Sequence, residues 1–189
     1  MAPISSPAPI FAAPAARTET PLLIAFCDLA RFMANCERRS DTEIADLMDQ
    51  FYVRVCERVV AAGGAVVKFI GDAALIVFPE ERASDGVLAL LDLKDDVDGW
   101  LARSGWDSRL VVKAHFGTAV AGPFGPREYG RTDVIGGAVN VAATLQTRSF
   151  ALSAQAFRKL TPEARRRFKK HTPPVTYIPL DAARPKGAA

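Results

Sequence analysis

Val66-Val67-Lys68-Phe69-Ile70-Gly71-Asp72-Ala73-Ala74-Leu75-Ile76-Val77-Phe78 is the stretch that most restricts this chain. Two apolar, β-rich runs flank a two-residue break, Gly71-Asp72. A two-residue loop with Gly first predicts a type II′ hairpin, with arms near 65–70 and 73–78. One carboxylate, Asp72, then stands at the tip of a hairpin whose arms are buried. One cation, Lys68, interrupts an arm that otherwise reads as core. Asp is a common turn former, so Asp72 reads either as turn chemistry or as a ligand.

The elements around the hairpin follow from apolar spacing. Leu22-Leu23-Ile24-Ala25-Phe26-Cys27 predicts a strand buried on both faces. It ends in Asp28, which reads as a helix N-cap or a ligand. Ser40-Asp41-Thr42-Glu43 resembles a capping box. It opens a helix with Ile44, Leu47, Met48, Phe51, Tyr52, Val55 and Val59 on one face, closed by Gly63-Gly64.

A second helix is predicted over 83–102 and a strand over 110–117, while 120–126, broken by Gly and Pro, reads as a loop or an irregular hairpin. A small-residue helix covers 138–145, and a short strand covers 150–152. One or two helices cover 153–168, and a last strand covers 175–178. The order β-α-β-β-α-β, then more α and β, predicts a ferredoxin-like α+β sheet with additional C-terminal α/β elements.

Composition narrows the function. A chain of 189 residues is long enough for one domain with a full core, and a net charge of +3 is too small to imply a nucleic-acid partner. The basic run Arg165-Arg166-Arg167 and Lys169-Lys170 reads as a solvated helix face. Cys27, Cys36 and Cys56 lack metal-like spacing and read as reduced thiols of a cytoplasmic protein. Residues 1–20, with prolines at 3, 7, 9 and 14, read as a flexible tail or linker, 21–181 as one domain, and 182–189 as a disordered tail. No apolar stretch is long enough to span a membrane.

Two carboxylates, Asp28 and Asp72, meet in such a sheet if the first strand neighbours the hairpin. They repel unless one is protonated or a divalent cation binds. Oxygen-only ligands suit Mg²⁺ or Mn²⁺, and a two-metal site suits phosphoryl or nucleotidyl transfer. There is no phosphate-binding G-x-x-x-x-G-K loop and no nucleophile elbow.

Four blocks make the reading specific. They are Phe26-Cys27-Asp28-Leu29-Ala30-Arg31-Phe32, Lys68-Phe69-Ile70-Gly71-Asp72, His115-Phe116-Gly117-Thr118-Ala119-Val120-Ala121-Gly122, and Asp133-Val134-Ile135-Gly136-Gly137-Ala138-Val139-Asn140-Val141-Ala142-Ala143. In this order they resemble the catalytic domain of class III adenylyl/guanylyl cyclases, over about residues 22–178.

The resemblance implies the class III nucleotidyl cyclase fold. It also implies an adenylate cyclase converting ATP to 3′,5′-cyclic AMP and pyrophosphate by attack of the ribose 3′-hydroxyl on the α-phosphate. Asp28, Asp72 and the backbone carbonyl of Leu29 would hold two divalent cations. Lys68 and Asp133 would read the purine edge; a Lys donor with an Asp acceptor complements adenine N1 and N6 and reverses for guanine. Asn140 would orient the ribose in the transition state. Lys169 would meet the terminal phosphates, and Arg31 and Phe32 would lie beside the triphosphate. The sites would form in a head-to-tail C2 homodimer.

Two positions depart from the family pattern. Where the family carries a transition-state arginine, four residues after the asparagine, this chain has Thr144. Arg148, one helical turn further, is the cation that could replace it. The glycine following the first metal aspartate is replaced by Arg31. These departures lower the expected activity and support an alternative, a degenerate cyclase-like module that binds a nucleotide or sets a dimer. A diguanylate cyclase or polymerase palm is disfavoured, because the hairpin lacks a G-G-D/E-E turn.

Overall fold

The computed structural model describes residues 16–126, 128, 130–172 and 174–180. The elements are β1 (Thr18–Ala30), α1 (Phe32–Cys36), α2 (Asp41–Ala61), β2 (Ala65–Ile70), β3 (Ala73–Pro79), α3 (Ala83–Arg103) and β4 (Arg109–Phe124). They continue as β5 (Arg131–Ile135), α4 (Gly137–Thr144), β6 (Phe150–Leu152), α5 (Ala154–Arg158), α6 (Pro162–Arg165), β7 (Phe168–His171) and β8 (Thr176–Pro179). The sheet runs β2-β3-β1-β4-β6-β8-β7, with β5 paired to β4. Its first four strands, with α2 and α3 as crossovers, form the ferredoxin-like βαββαβ unit, and the later elements extend it.

The sheet has two unlike faces. One is covered by α2 and α3. Here Leu23, Ala25, Cys27, Ile76 and Phe78 pack against Phe51, Val55, Val87, Leu90, Val97 and Leu101. The capping box of α2 is formed: the Ser40 hydroxyl accepts from the Glu43 amide at 3.3 Å, and the Glu43 carboxylate accepts from the Ser40 amide at 2.9 Å. The other face carries Leu22, Ile24, Leu75, Val77, Ala119, Ala121 and Val134 under the single short helix α4, through Ala142. Glycine lets that helix lie close: a Cβ at Gly117 would stand 2.8 Å from the Cβ of Ala138.

Several boundaries differ from the sequence reading. β1 begins at Thr18 and runs to Ala30, because β4 pairs with it from Thr18↔Ala121 to Ala30↔Arg109. Its first three residues therefore belong to the sheet; most of the expected tail, 1–15, and the C-terminal tail lie outside the described residues. β4 does not break at Gly117. It continues through Phe124 because β1 and then β5 supply ladder partners that outweigh its Gly and Pro. Lys169 and Lys170 stand on the edge strand β7, not on a helix; Phe168 anchors that strand in the core.

Candidate active site

Asp28 lies inside β1, paired with Ala73 and Val111, so it caps no helix. Beyond it, the Leu29 amide donates to the carbonyl of Asp72 at 3.3 Å, which brings the end of the hairpin against β1. The hairpin turn is as the sequence predicts. Ile70 pairs with Ala73, Gly71 takes φ +59°, and Asp72 keeps an ordinary negative φ, as a type II′ turn requires. No neighbour crowds Gly71, so backbone conformation, not space, calls for glycine there.

The two carboxyl groups meet. Burial pushes the Asp72 carboxyl above the ordinary carboxylate range, and the nearby charge and hydrogen-bonding carboxyl of Asp28 push it the same way. Its own backbone amide opposes this in part. The thiol of Cys36 is raised by burial and then by the charge of Asp72, which places α1 beside the pair. Extended backbone points a residue's N–H and C=O the same way, so the Leu29 carbonyl faces the hairpin tip as well.

Among the described residues, no group of three or more His, Cys, Asp and Glu side chains could hold a metal ion. The donor set is therefore two carboxylates and backbone oxygen. Two converging acids, of which Asp72 is pushed toward its protonated form, fit a hard divalent cation that would cancel the repulsion.

Lys68 and Asp133 form the second cluster. The Lys68 ammonium lies 2.6 Å from the Asp133 carboxylate, on a partner that is 14% exposed. The other oxygen of Asp133 accepts from the Val134 amide at 2.8 Å, which fixes the carboxylate plane. β2 carries a bulge between Val66 and Lys68, so Val66 pairs with Ile76 and Lys68 with Leu75. The extra residue turns Lys68 onto the α4 face, toward Asp133 on β5.

Asn140 sits on α4, exposed, one turn after the start of the helix. The Thr144 hydroxyl donates back to the Asn140 carbonyl at 2.8 Å. Arg148 is not on the helix. α4 ends at Thr144 because Leu145 takes an extended ψ of 130°, and Arg148 stands in the exposed connection before β6. It therefore does not continue the helical face of Asn140.

Arg31 and Phe32 both engage the segment before β4. Arg31 has the left-handed φ of 63°, and its guanidinium pairs with Asp107 at 2.7 Å. Phe32 stacks on Trp106 with ring centroids 6.1 Å apart. On β7, Lys170 pairs with Tyr177 and shares its core side, so alternation places Lys169 on the α4 face.

One contributing residue is not singled out by sequence. The Tyr52 hydroxyl donates to the carbonyl of Gly71 at 2.8 Å, and its ring stacks on Phe69 at 3.9 Å. A tyrosine on an otherwise apolar helix face was the available signal, since a buried phenol needs a partner.

No protein-family model matches the chain. Among curated proteins it is similar to adenylate cyclase 2 of Rhizobium meliloti (strain 1021), with 28% identity over 150 residues, 72% of this chain and 41% of that protein. It is also 26% identical to an adenylate cyclase of Anabaena cylindrica over 133 residues, 66% of this chain and 26% of that protein. The chain thus spans less than half the length of these relatives. Its fold is similar to that of a bacterial light-regulated adenylyl cyclase, with a TM-score of 0.79, 20% identity, 90% of this chain and 55% of that chain. The adenylyl cyclase CyaB from P. aeruginosa matches with a TM-score of 0.75, 17% identity, 91% of this chain and 100% of that chain. Guanylyl cyclase domains are among the other structural neighbours. The sheet that assembles the four sequence blocks thus has the fold of class III adenylyl/guanylyl cyclase catalytic domains, and in sequence the chain is similar to adenylate cyclases, likenesses that support its reading as a cyclase homology domain.

Proposed function

We propose that this domain is an adenylate cyclase, a phosphorus-oxygen lyase that forms 3′,5′-cyclic AMP and pyrophosphate from ATP. One observation carries the reading: a single hairpin bears both Asp72, set against Asp28, and Lys68, set against Asp133. A scaffold needs neither pair. Two divalent cations, Mg²⁺ or Mn²⁺, held by Asp28, Asp72 and the Leu29 carbonyl, would supply charge neutralisation and activation of the ribose 3′-hydroxyl.

The chain's own groups account for the rest. Lys68 donates to adenine N1 and Asp133 accepts from N6. Guanine presents the reverse pattern and leaves both groups mispaired. Asn140 holds the ribose, and Lys169 meets the terminal phosphates from the same face of the sheet.

Each site takes Asp28 and Asp72 from one protomer and Lys68, Asp133 and Asn140 from the other, in a head-to-tail homodimer with two sites. The thin cover of the α4 face supports this. Val141 on α4 and Ile70 on β2 are exposed at 43% and 52%, apolar area that a partner would bury. No helix among the described residues is long and apolar enough to cross a membrane, and we place the domain in the cytoplasm.

A second reading has one observation in its favour. α4 carries no charged side chain, and Thr144 is engaged with its own helix. On that reading the domain binds a nucleotide or sets a dimer without turnover. Cyclic nucleotide production from ATP and from GTP, with Mn²⁺ and with Mg²⁺, decides between them beside Asp72→Ala. We expect metal-dependent cyclic AMP that the variant abolishes. No product above the variant overturns the enzyme and leaves the binding module.

A further inference from the structure

Lys113 is a half-buried cation in the middle of β4, where a core strand ordinarily carries apolar side chains. Phe26 pairs with Lys113 and Asp28 with Val111, so the lysine stands on the sheet face that carries Asp28, Lys68 and α4. Its ammonium donates to the carbonyl of Ala143 at 3.1 Å. That carbonyl is one of the last of α4, three residues after Asn140 and one before Thr144. A helix C-terminus favours a cation, and an ammonium has three donors, of which this bond uses one.

Two cations considered for the site are committed elsewhere. Lys68 is paired with Asp133 at 2.6 Å, and Arg31 with Asp107 at 2.7 Å. Lys113 makes no carboxylate pair among the described residues, so its charge is not cancelled. A half-buried cation with no carboxylate partner, beside the end of a helix that carries the proposed ribose-binding residue, is suited to an anion.

We propose that Lys113 is a catalytic residue of the cyclase reaction, its ammonium meeting the phosphates of the nucleoside triphosphate. The proposal rests on the cyclase reading above. The ribose 3′-oxygen bonds to the α-phosphorus, and the bond from that phosphorus to the bridging oxygen breaks. Pyrophosphate leaves with the electron pair, and the hydroxyl proton passes to water. Negative charge accumulates on the phosphoryl oxygens in between, and a fixed cation there lowers the barrier. Lys113 acts from the protomer that supplies Asn140.

The test compares wild type with Lys113→Met, Lys113→Arg and Lys113→Met/Thr144→Arg in steady-state turnover of Mn²⁺·ATP. An arginine at 144 can present its guanidinium at the same helix end. Loss of the charge is expected to lower kcat about 10²-fold or more, with KM changing far less. Lys113→Arg retains most activity, and Thr144→Arg restores at least tenfold to the methionine variant. A kcat within threefold of wild type in Lys113→Met overturns the proposal while leaving the cyclase reading intact. So does a loss that neither arginine recovers, which marks a packing role.

If wild type turns over no nucleotide, the cyclase reading falls and phosphate contact is read by equilibrium binding. Lys113→Met should then weaken ATP and inorganic pyrophosphate about tenfold or more and leave adenosine unchanged. Equal affinities, or no binding by wild type, overturn it.

Discussion

Lys68 and Asp133 meet at 2.6 Å across 65 positions of sequence because β2 contains one residue more than its partner strand. Plain alternation would put Lys68 on the same face as Val66, which packs among the helices. The bulge at Val67 breaks that alternation and delivers the ammonium to the opposite face. The pair is half-buried, and its geometry is set by backbone on both sides.

Lys68→Met therefore tests specificity and stability together. Asp133 would remain largely buried without its cation, a loss of about 1–3 kcal/mol in stability. The kcat/KM for ATP should fall at least tenfold, the worth of one hydrogen bond to a charged group, while GTP turnover falls less. Parallel assays with both nucleotides check this. An unchanged ATP-to-GTP ratio would remove Lys68 from base recognition.

Asp28 and Asp72 oppose each other when no cation lies between them, so metal should stabilise the fold. Mn²⁺ at a hundredfold excess over its dissociation constant contributes about 2.7 kcal/mol, or roughly 5–10 °C in Tm. Asp72→Asn relieves the burial of charge and the repulsion. It should melt no lower than metal-free wild type and should not respond to Mn²⁺. Thermal melts with and without MnCl2 measure this; an equal metal response in the variant would place the ion elsewhere.

Arg31 is the residue with a left-handed backbone among the described non-glycine residues. That conformation costs a residue with a Cβ about 1–2 kcal/mol. The pair with Asp107 is exposed on both sides and offsets little of it. Arg31→Gly removes the strain, whereas Arg31→Ala keeps the strain and loses the pair. The glycine variant should exceed the alanine variant by about 1 kcal/mol in urea unfolding. The reverse order would show that the left-handed backbone stores no strain at this corner.

His115 makes stability depend on pH. Its ring is buried, and burial alone holds its pKa below the ordinary 6.5. Ser153 Oγ lies within hydrogen-bond distance of Nδ1, at 2.9 Å, and also accepts from the Ala156 amide at 3.1 Å, so the ring keeps a polar partner inside the core. A folded pKa below the unfolded one means that the unfolded chain binds more protons as pH falls. The contribution is complete above 6.5 and is lost as pH drops through the folded value. Urea midpoints from about pH 7 to about pH 5 should decline in wild type, and the slope should flatten in His115→Gln. A parallel decline in both would assign the titration to other groups.

Local signals made much of this legible. Turn chemistry located Gly71-Asp72, the capping box located the start of α2, and apolar periodicity located α2 and α3. Features set by partners were not legible. The length of β4 depends on β1 and β5, which no window of its own sequence contains. The bulge at Val67 leaves no compositional mark, so Lys68 was located by motif and its direction only by structure. Arg148 continued a helical spacing that the backbone of Leu145 ends. Lys169 belonged to a basic run with the look of a solvated helix face, but the burial of Phe168 makes that run a strand.

Tyr52 shows how a residue chosen for packing also positions the site. Its phenol oxygen is 2.8 Å from the Gly71 carbonyl, next to Asp72 in the turn, while its ring is held by Phe69. Tyr52→Phe keeps the stack and removes the bond. The exposed Gly71 carbonyl can turn to water, so stability should fall by only about 0.5–1.5 kcal/mol. The larger effect should be on the metal. A support that orients a ligand-bearing turn is worth about tenfold or more in metal affinity. Mn²⁺ titrations followed by melting temperature should shift to higher concentration in Tyr52→Phe, with cyclic AMP formation recovering at high Mn²⁺. A variant that loses stability but keeps the wild-type Mn²⁺ midpoint would reduce Tyr52 to a core residue, and the rigidity of the Gly71-Asp72 turn would then have to come from the Leu29–Asp72 backbone bond alone.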